Sequence, residues 1–166
     1  KLMDHYDSNI AMRRVDEWLE VAQARLQSYV LQGYYIEKII FAVLGDIIES
    51  DKKHDNSGRG CDIGTAEQMR LAIEILFSKS IKTLSMYAPM DVVMVTGNHD
   101  HDGHGLSMYM PGREHLSWPL YNAVKMLAEE ARINATFYIP EGSHHIHSVY
   151  GANILYEHGV GVSTSE

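Results

Sequence analysis

The stretch DVVMVTGNHD, residues 91–100, decides the fold of this chain. Its run of valine and methionine is short, apolar and rich in β-branched side chains, which predicts a buried strand over 91–96. Gly97 and Asn98 follow at once, and this pair is typical of a sharp turn. The stretch therefore predicts a strand that presents polar side chains directly at its carboxyl end.

A second stretch of the same kind, IIFAVLGDIIE, occupies residues 39–49. The six residues from Ile39 to Leu44 are apolar on both faces, which predicts a strand buried in a sheet. Gly45 and Asp46 end it. The Asp46 carboxylate thus follows this strand directly, as the Asn98 side-chain amide follows the strand over 91–96.

Amphipathic helices alternate with these strands. Apolar residues at steps of three and four predict a helix from Ser8 to about Gly33, a second from Thr65 with Gln68 at capping-box spacing, and a third over about Ser117 to Arg132. Further strands are predicted over 135–139, 143–150 and 153–157, with a Gly151-Ala152 turn between the last two. This alternation predicts an α/β fold, a layered mixed β-sheet flanked by helices.

The composition excludes several classes of protein. Fourteen basic and 22 acidic residues give a net charge of −8, which excludes a basic nucleic-acid clamp spread over the whole surface. A single cysteine, Cys61, excludes a disulfide framework and a four-cysteine zinc site. No apolar run is long enough for a membrane span, and no secretory leader opens the chain. We expect a globular, cytoplasmic protein without a membrane partner.

Side chains typical of metal sites end three of the predicted strands. Asp46 ends the first, Asn98 and His99 end the second, and His158 ends the last. Ligands of open α/β sheets bind beyond the carboxyl ends of the strands, so we expect these side chains to meet in one place. The adjacent glycines at 45, 97 and 159 allow sharp turns. Oxygen and imidazole donors without a thiolate suit manganese, iron or zinc in a catalytic site.

The order of these motifs resembles the calcineurin-like metallophosphoesterase superfamily. Gly45-Asp46-Ile47-Ile48-Glu49 resembles its Gly-Asp-x-x-Asp/Glu block, Gly97-Asn98-His99-Asp100 resembles its Gly-Asn-His-Asp/Glu block, and His158-Gly159 resembles its downstream histidine. The long gap between the first two blocks is similar to that of phage and bacterial members of the DNA-repair-exonuclease-like branch. The resemblance implies a metallophosphoesterase-like fold and a metal-dependent phosphoric ester hydrolase.

The resemblance also implies two divalent metal ions as cofactors, manganese before iron, zinc or nickel. Asp46 would bridge both ions, and Asn98 and His158 would bind the second. Two ions about 3.5–4 Å apart activate a shared water and hold a phosphoryl group. The implied reaction is hydrolysis of a phosphodiester, in which the attacking hydroxide is activated by the two metal ions. The implied partner is a phosphate-ester substrate, which includes DNA.

The implied catalytic residues are His99, Glu49 and Asp100. His99 would protonate the leaving group or stabilise the phosphoryl oxygens, and Glu49 would orient this imidazole. Asp100 completes the motif. His101 and His104, in the glycine-rich loop just beyond it, are candidate substrate-binding residues.

Two blocks of the family pattern have no counterpart here: the opening Asp-x-His before Gly45 and the closing Gly-His-x-His after His158. We expect residues 1–166 to form a single phosphoesterase domain that is incomplete at both ends, with these blocks upstream of Lys1 and downstream of Glu166. Two alternatives stay open. One is a phosphomonoesterase or nucleotide hydrolase, since the negative charge favours a small substrate. The other is a non-catalytic scaffold that retains the fold.

Overall fold

A parallel sheet lies at the centre of the computed structural model, which describes residues 7–50, 60–101 and 112–159. Its three strands stand in the order β1-β2-β3. They are β1 (Ile39–Leu44), β2 (Met90–Val95) and β3 (Ala135–Tyr138). The register pairs Leu44 with Val95, so β1 and β2 end at the same level. The predicted α/β class is confirmed, and the two glycine turns leave the same edge of the sheet.

The helices supply the apolar residues that cover one face of this sheet. Helix α1 spans Ser8–Leu31, and α2 spans Thr65–Ile73 and continues as a π-helix over Glu74–Ile81 and a final turn, α3, over Lys82–Leu84. Helix α4 spans Ser117–Glu130. Their buried side chains join Met90, Val92 and Met94 of β2 in one apolar core, which includes Leu19, Leu76, Ile81, Tyr121 and Val124.

The opposite face of the sheet is partly covered by a second sheet. Strands β4 (His144–Val149) and β5 (Ala152–Glu157) form an antiparallel pair of their own, where the sequence predicted one mixed sheet. The turn between them is Tyr150-Gly151, both at positive φ, and Ala152 already belongs to β5. Two such residues form the tight turn that suits the twist of a hairpin, which accounts for the one-residue shift from the predicted turn.

Strand β1 is buried less completely than its composition predicts. Val43 faces the helices and is buried, whereas Ala42 and Leu44 are exposed. Strand β2 lies between two neighbours and is buried at every position. An apolar run on both faces therefore identified both strands, but only the central strand has both of its faces covered.

The helix ends also differ from the predicted caps. Asp7, rather than Ser8, caps α1 by accepting a hydrogen bond from the Ile10 amide at 2.8 Å. Gly64 precedes α2, and no side chain caps that end. Gln68 instead reaches into the loop after β1, which bears on the site below. In the part of the chain that the structure describes, no helix has both the length and the apolarity needed to cross a bilayer.

A buried ion-pair cluster fixes the hairpin on the central strand. The Asp91 carboxylate of β2 lies 2.9 Å from Nε2 of His147 in β4 and 2.7 Å from Nζ of Lys38. The side chains of His147 and Asp91 are only 7% and 5% exposed. The hydrogen bond to Asp91 raises the pKa of Lys38 above its ordinary value. Tyr138 of β3 packs its ring on His147, with 4.6 Å between the ring centroids.

We expect Asp91→Ala to lower the free energy of unfolding by roughly 3 kcal/mol, because it leaves the buried His147 without its charged partner. Urea denaturation followed by circular dichroism measures this change. Asp16→Ala is the matched control, since Asp16 also binds a lysine, Lys79, but is half exposed. It should cost at most about 1 kcal/mol. Equal losses in the two variants would contradict a special role for the Asp91 cluster.

Candidate functional site

Two glycines bring the loops after β1 and β2 into direct contact. Gly45 has a φ of +86°, and a Cβ atom there would lie 2.5 Å from Cα of Gly97. A Cβ on Gly97 would lie 2.1 Å from Oδ1 of Asp46 and 2.2 Å from the Asp46 nitrogen. Both distances are far below van der Waals contact, so no other residue fits at either position. The predicted need for glycine here has a steric cause.

The buried side chain of Asp100 holds the two loops together. Its side chain is fully buried, and Oδ2 accepts hydrogen bonds from the amides of Gly97 at 2.7 Å and Asp46 at 3.2 Å. Oδ1 accepts a third from Ile48 at 3.4 Å. A buried carboxylate needs such donors to offset its lost hydration. Asp100, which was predicted to be catalytic, thus lies buried and bonded to the backbone of both loops, and its catalytic role stays a prediction.

The Asp46 side chain makes a further contact between the two loops. Its Oδ1 accepts the amide hydrogen of His99 at 2.8 Å, while its Oδ2 faces His158. Asp46 has a φ of 53°, a left-handed conformation that aspartate tolerates better than most residues. A second backbone bond joins the loops, from the Ser50 amide to the His99 carbonyl at 3.2 Å. The carboxylate is thereby fixed in position.

Three donor atoms converge at the strand ends. Nε2 of His158 lies 3.0 Å from Oδ2 of Asp46 and 2.9 Å from Oδ1 of Asn98. The other ring nitrogen, Nδ1, lies 2.6 Å from the carbonyl oxygen of Leu44, to which it can only donate. In a neutral imidazole Nε2 then carries a lone pair, and it faces two oxygen acceptors. A metal ion between the three atoms would make this arrangement favourable.

This arrangement fits a divalent metal ion. Histidine ligands commonly donate their second ring N–H to a backbone carbonyl, as His158 does to Leu44. Within residues 7–50, 60–101 and 112–159, no group of three or more His, Cys, Asp or Glu side chains is placed to hold a metal. The set reaches three donors only when the amide oxygen of Asn98 is included. Asp46, Asn98 and His158, the predicted metal ligands, are thus brought together.

A second pair of predicted residues lies beside this donor set. Nδ1 of His99 makes a very short hydrogen bond to a carboxylate oxygen of Glu49. Glu49 is itself held by Gln68, whose Oε1 accepts the Glu49 amide hydrogen at 2.7 Å. The amide nitrogen of Gln68 donates to the carbonyl of Ile63 at 3.0 Å, which fixes its orientation. The Glu49 carboxylate therefore orients the His99 ring, and the Gln68 side chain holds the backbone of Glu49.

Of the two candidate substrate-binding histidines, His101 lies among the described residues. His101 is 7% exposed, and its ring packs edge-on against His115 with 5.6 Å between centroids. This position favours packing over contact with a substrate. His104 lies outside the described residues.

Sequence reasoning missed two residues that shape the site. Gln68 matched a capping pattern, and that local pattern concealed its contact with Glu49 nineteen residues away. Tyr121 of α4 is fully buried and donates to the Val95 carbonyl at 3.3 Å. Burial, aided by the negative charges of Asp100 and Asp46, raises the pKa of Tyr121 well above its usual range. The Tyr121 hydroxyl therefore stays neutral and donates its hydrogen bond to the end of β2.

Comparison with protein-family models, curated proteins and solved structures finds no match to this chain.

We expect Gly97→Ala to lower the free energy of unfolding by at least about 2 kcal/mol, because the new methyl group meets the backbone and carboxylate of Asp46. Urea denaturation measures the loss. Gly142→Ala is the control, since nothing lies within 4 Å of its added Cβ. That variant should change stability by no more than about 0.5 kcal/mol. A Gly97 variant as stable as the control would show that the two loops are not held in contact.

Proposed function

We propose that this protein is a metal-dependent phosphoesterase with a metallophosphoesterase-like fold. The observation that carries the proposal is the convergence of Asp46, Asn98 and His158, with the Nε2 lone pair of His158 aimed at two oxygens. Oxygen and imidazole donors of this kind suit manganese, iron, zinc or nickel. Bound divalent cations would supply water activation and positive charge for the phosphoryl oxygens. A second ion would share Asp46, as the motif resemblance implies.

His99 is the proposed general acid. Its Nδ1 is hydrogen-bonded to Glu49, so Nε2 is the nitrogen that would pass a proton to the departing alkoxide oxygen. The Glu49 carboxylate fixes the orientation of the ring. The backbone amide of His99 donates to the Asp46 carboxylate, which holds His99 at a fixed distance from the donor set. A phosphate ester would lie between His99 and the donor set.

The proposed substrate is a phosphodiester rather than a phosphomonoester. Asp46, Glu49 and the buried Asp100 lie together, and the whole chain carries a net charge of −8. A diester brings one negative charge to this region and a monoester brings two, so binding of the diester depends less on the charge of the bound cations. Hydrolysis of a phosphodiester is therefore the activity that we propose.

We expect His99→Ala to lower kcat for manganese-dependent hydrolysis of diphenyl phosphate by about 10²- to 10⁴-fold, the usual contribution of a general acid. Phenoxide is a basic leaving group that needs a proton, whereas p-nitrophenolate departs without one. The release of phenol measures the rate. Manganese affinity should stay within a factor of about three, because His99 is not among the three donors.

The matched control is His144→Ala, which removes an exposed histidine from β4. Its kcat should equal that of the unaltered protein. Equal rates for the His99 and His144 variants would remove His99 from the mechanism. A protein that binds manganese and hydrolyses no phosphate ester would favour the non-catalytic scaffold.

A further inference from the structure

A cavity of about 390 Å³ opens beside the site, between the first turn of α1, the loop after β1 and α2. Its size is that of a pocket for a small organic group. Most of its walls are apolar, and they include Ala11, Met12, Ile47, Leu71 and Ile75. The floor is formed by Ile48 and Ala72, which are 3% and 1% exposed.

The cavity shares two residues with the candidate site. Asp46 and Glu49 line the cavity and also face His158 and His99. A phosphate held between the donor set and His99 would therefore have one of its ester groups directed past Glu49 into this space. The cavity is placed to hold the alcohol part of a substrate.

The polar groups of the cavity are already engaged by the protein. Asp62 accepts hydrogen bonds from the Ser8 amide at 2.9 Å and from the Ser8 hydroxyl at 2.6 Å. Asp7 caps α1 through the Ile10 amide. Gln68 uses both ends of its amide on the backbone. These contacts leave the apolar walls as the surface that a ligand meets.

The charge around the cavity is negative. Asp7, Asp46, Glu49 and Asp62 line it, and no lysine or arginine is among the described residues that do so. A second phosphate entering here would be repelled. A polynucleotide, which carries a phosphate on each side of every sugar, is therefore disfavoured, whereas an uncharged apolar group gains from burial.

We propose that this cavity is a subsite for the uncharged apolar alcohol of a small phosphate ester, an aryl or alkyl group, and that it selects such esters over nucleic acid. The proposal rests on the proposed phosphoesterase function for the position of the phosphate. The cavity itself can be tested without any catalytic step.

The probe is 2-naphthol, an uncharged aromatic alcohol, titrated calorimetrically into the metal-free full chain. We expect binding that Ala11→Leu weakens about tenfold or more, since leucine keeps the helix and fills the cavity. Leu71→Phe narrows it from α2 and should act in the same direction. Ala24→Leu is the matched control, because Ala24 is an exposed residue of the same helix away from the cavity. Circular dichroism confirms that each variant is folded.

The second arm uses bis-p-nitrophenyl phosphate and a single-stranded oligonucleotide with manganese. We expect Ala11→Leu to raise KM for the aryl ester severalfold with less effect on kcat, and to leave KM for the oligonucleotide unchanged. The two rates are not compared with each other, because p-nitrophenolate is the better leaving group with or without the subsite. Naphthol binding that is equal in all variants, or an equal rise in KM for both substrates, would overturn the subsite. Naphthol binding that responds to Ala11→Leu in a protein without esterase activity would contradict the proposed function and leave the cavity as an apolar binding site.

Discussion

The hydrogen bonds between the buried Asp100 carboxylate and the backbone amides of Gly97, Asp46 and Ile48 are the constraint on which the site depends. They draw the loop after β1 onto the loop after β2, and the steric demand at Gly45 and Gly97 lets the two backbones meet. The Asp46 carboxylate then closes the arrangement by accepting the His99 amide hydrogen. The buried Asp100 side chain thus sets the relative position of His99, Asp46 and Asn98.

The position of His158, the third donor, depends on the second sheet, β4–β5. His158 follows β5, and β4–β5 packs on the parallel sheet through the buried contact between Asp91 and His147. The Leu44 carbonyl, at the end of β1, then fixes the tautomer of the His158 ring. Both sheets must be correctly packed for the three donors to meet. Stability and function are coupled through this packing, although Asp91 lies at the far end of β2 from Asn98.

The sequence predicted those features of the structure that depend on residues close together in the chain. Apolar runs located β1 and β2, and a glycine followed by a polar residue located Asp46 and Asn98, because strand and turn follow from short patterns. The exposure of Leu44, the separate hairpin sheet and the burial of His101 could not be predicted in this way. Each depends on which element packs against which. The same limit concealed Gln68, whose partner Glu49 is close in space and distant in the chain.

The most direct test of the central claim is a crystal structure of this chain soaked with manganese and measured at the manganese absorption edge. We expect an anomalous peak between Oδ2 of Asp46, Oδ1 of Asn98 and Nε2 of His158, lost in Asn98→Leu and kept in His144→Ala. Manganese bound elsewhere, or a peak that survives the removal of the Asn98 amide, would contradict a metal site at these three atoms.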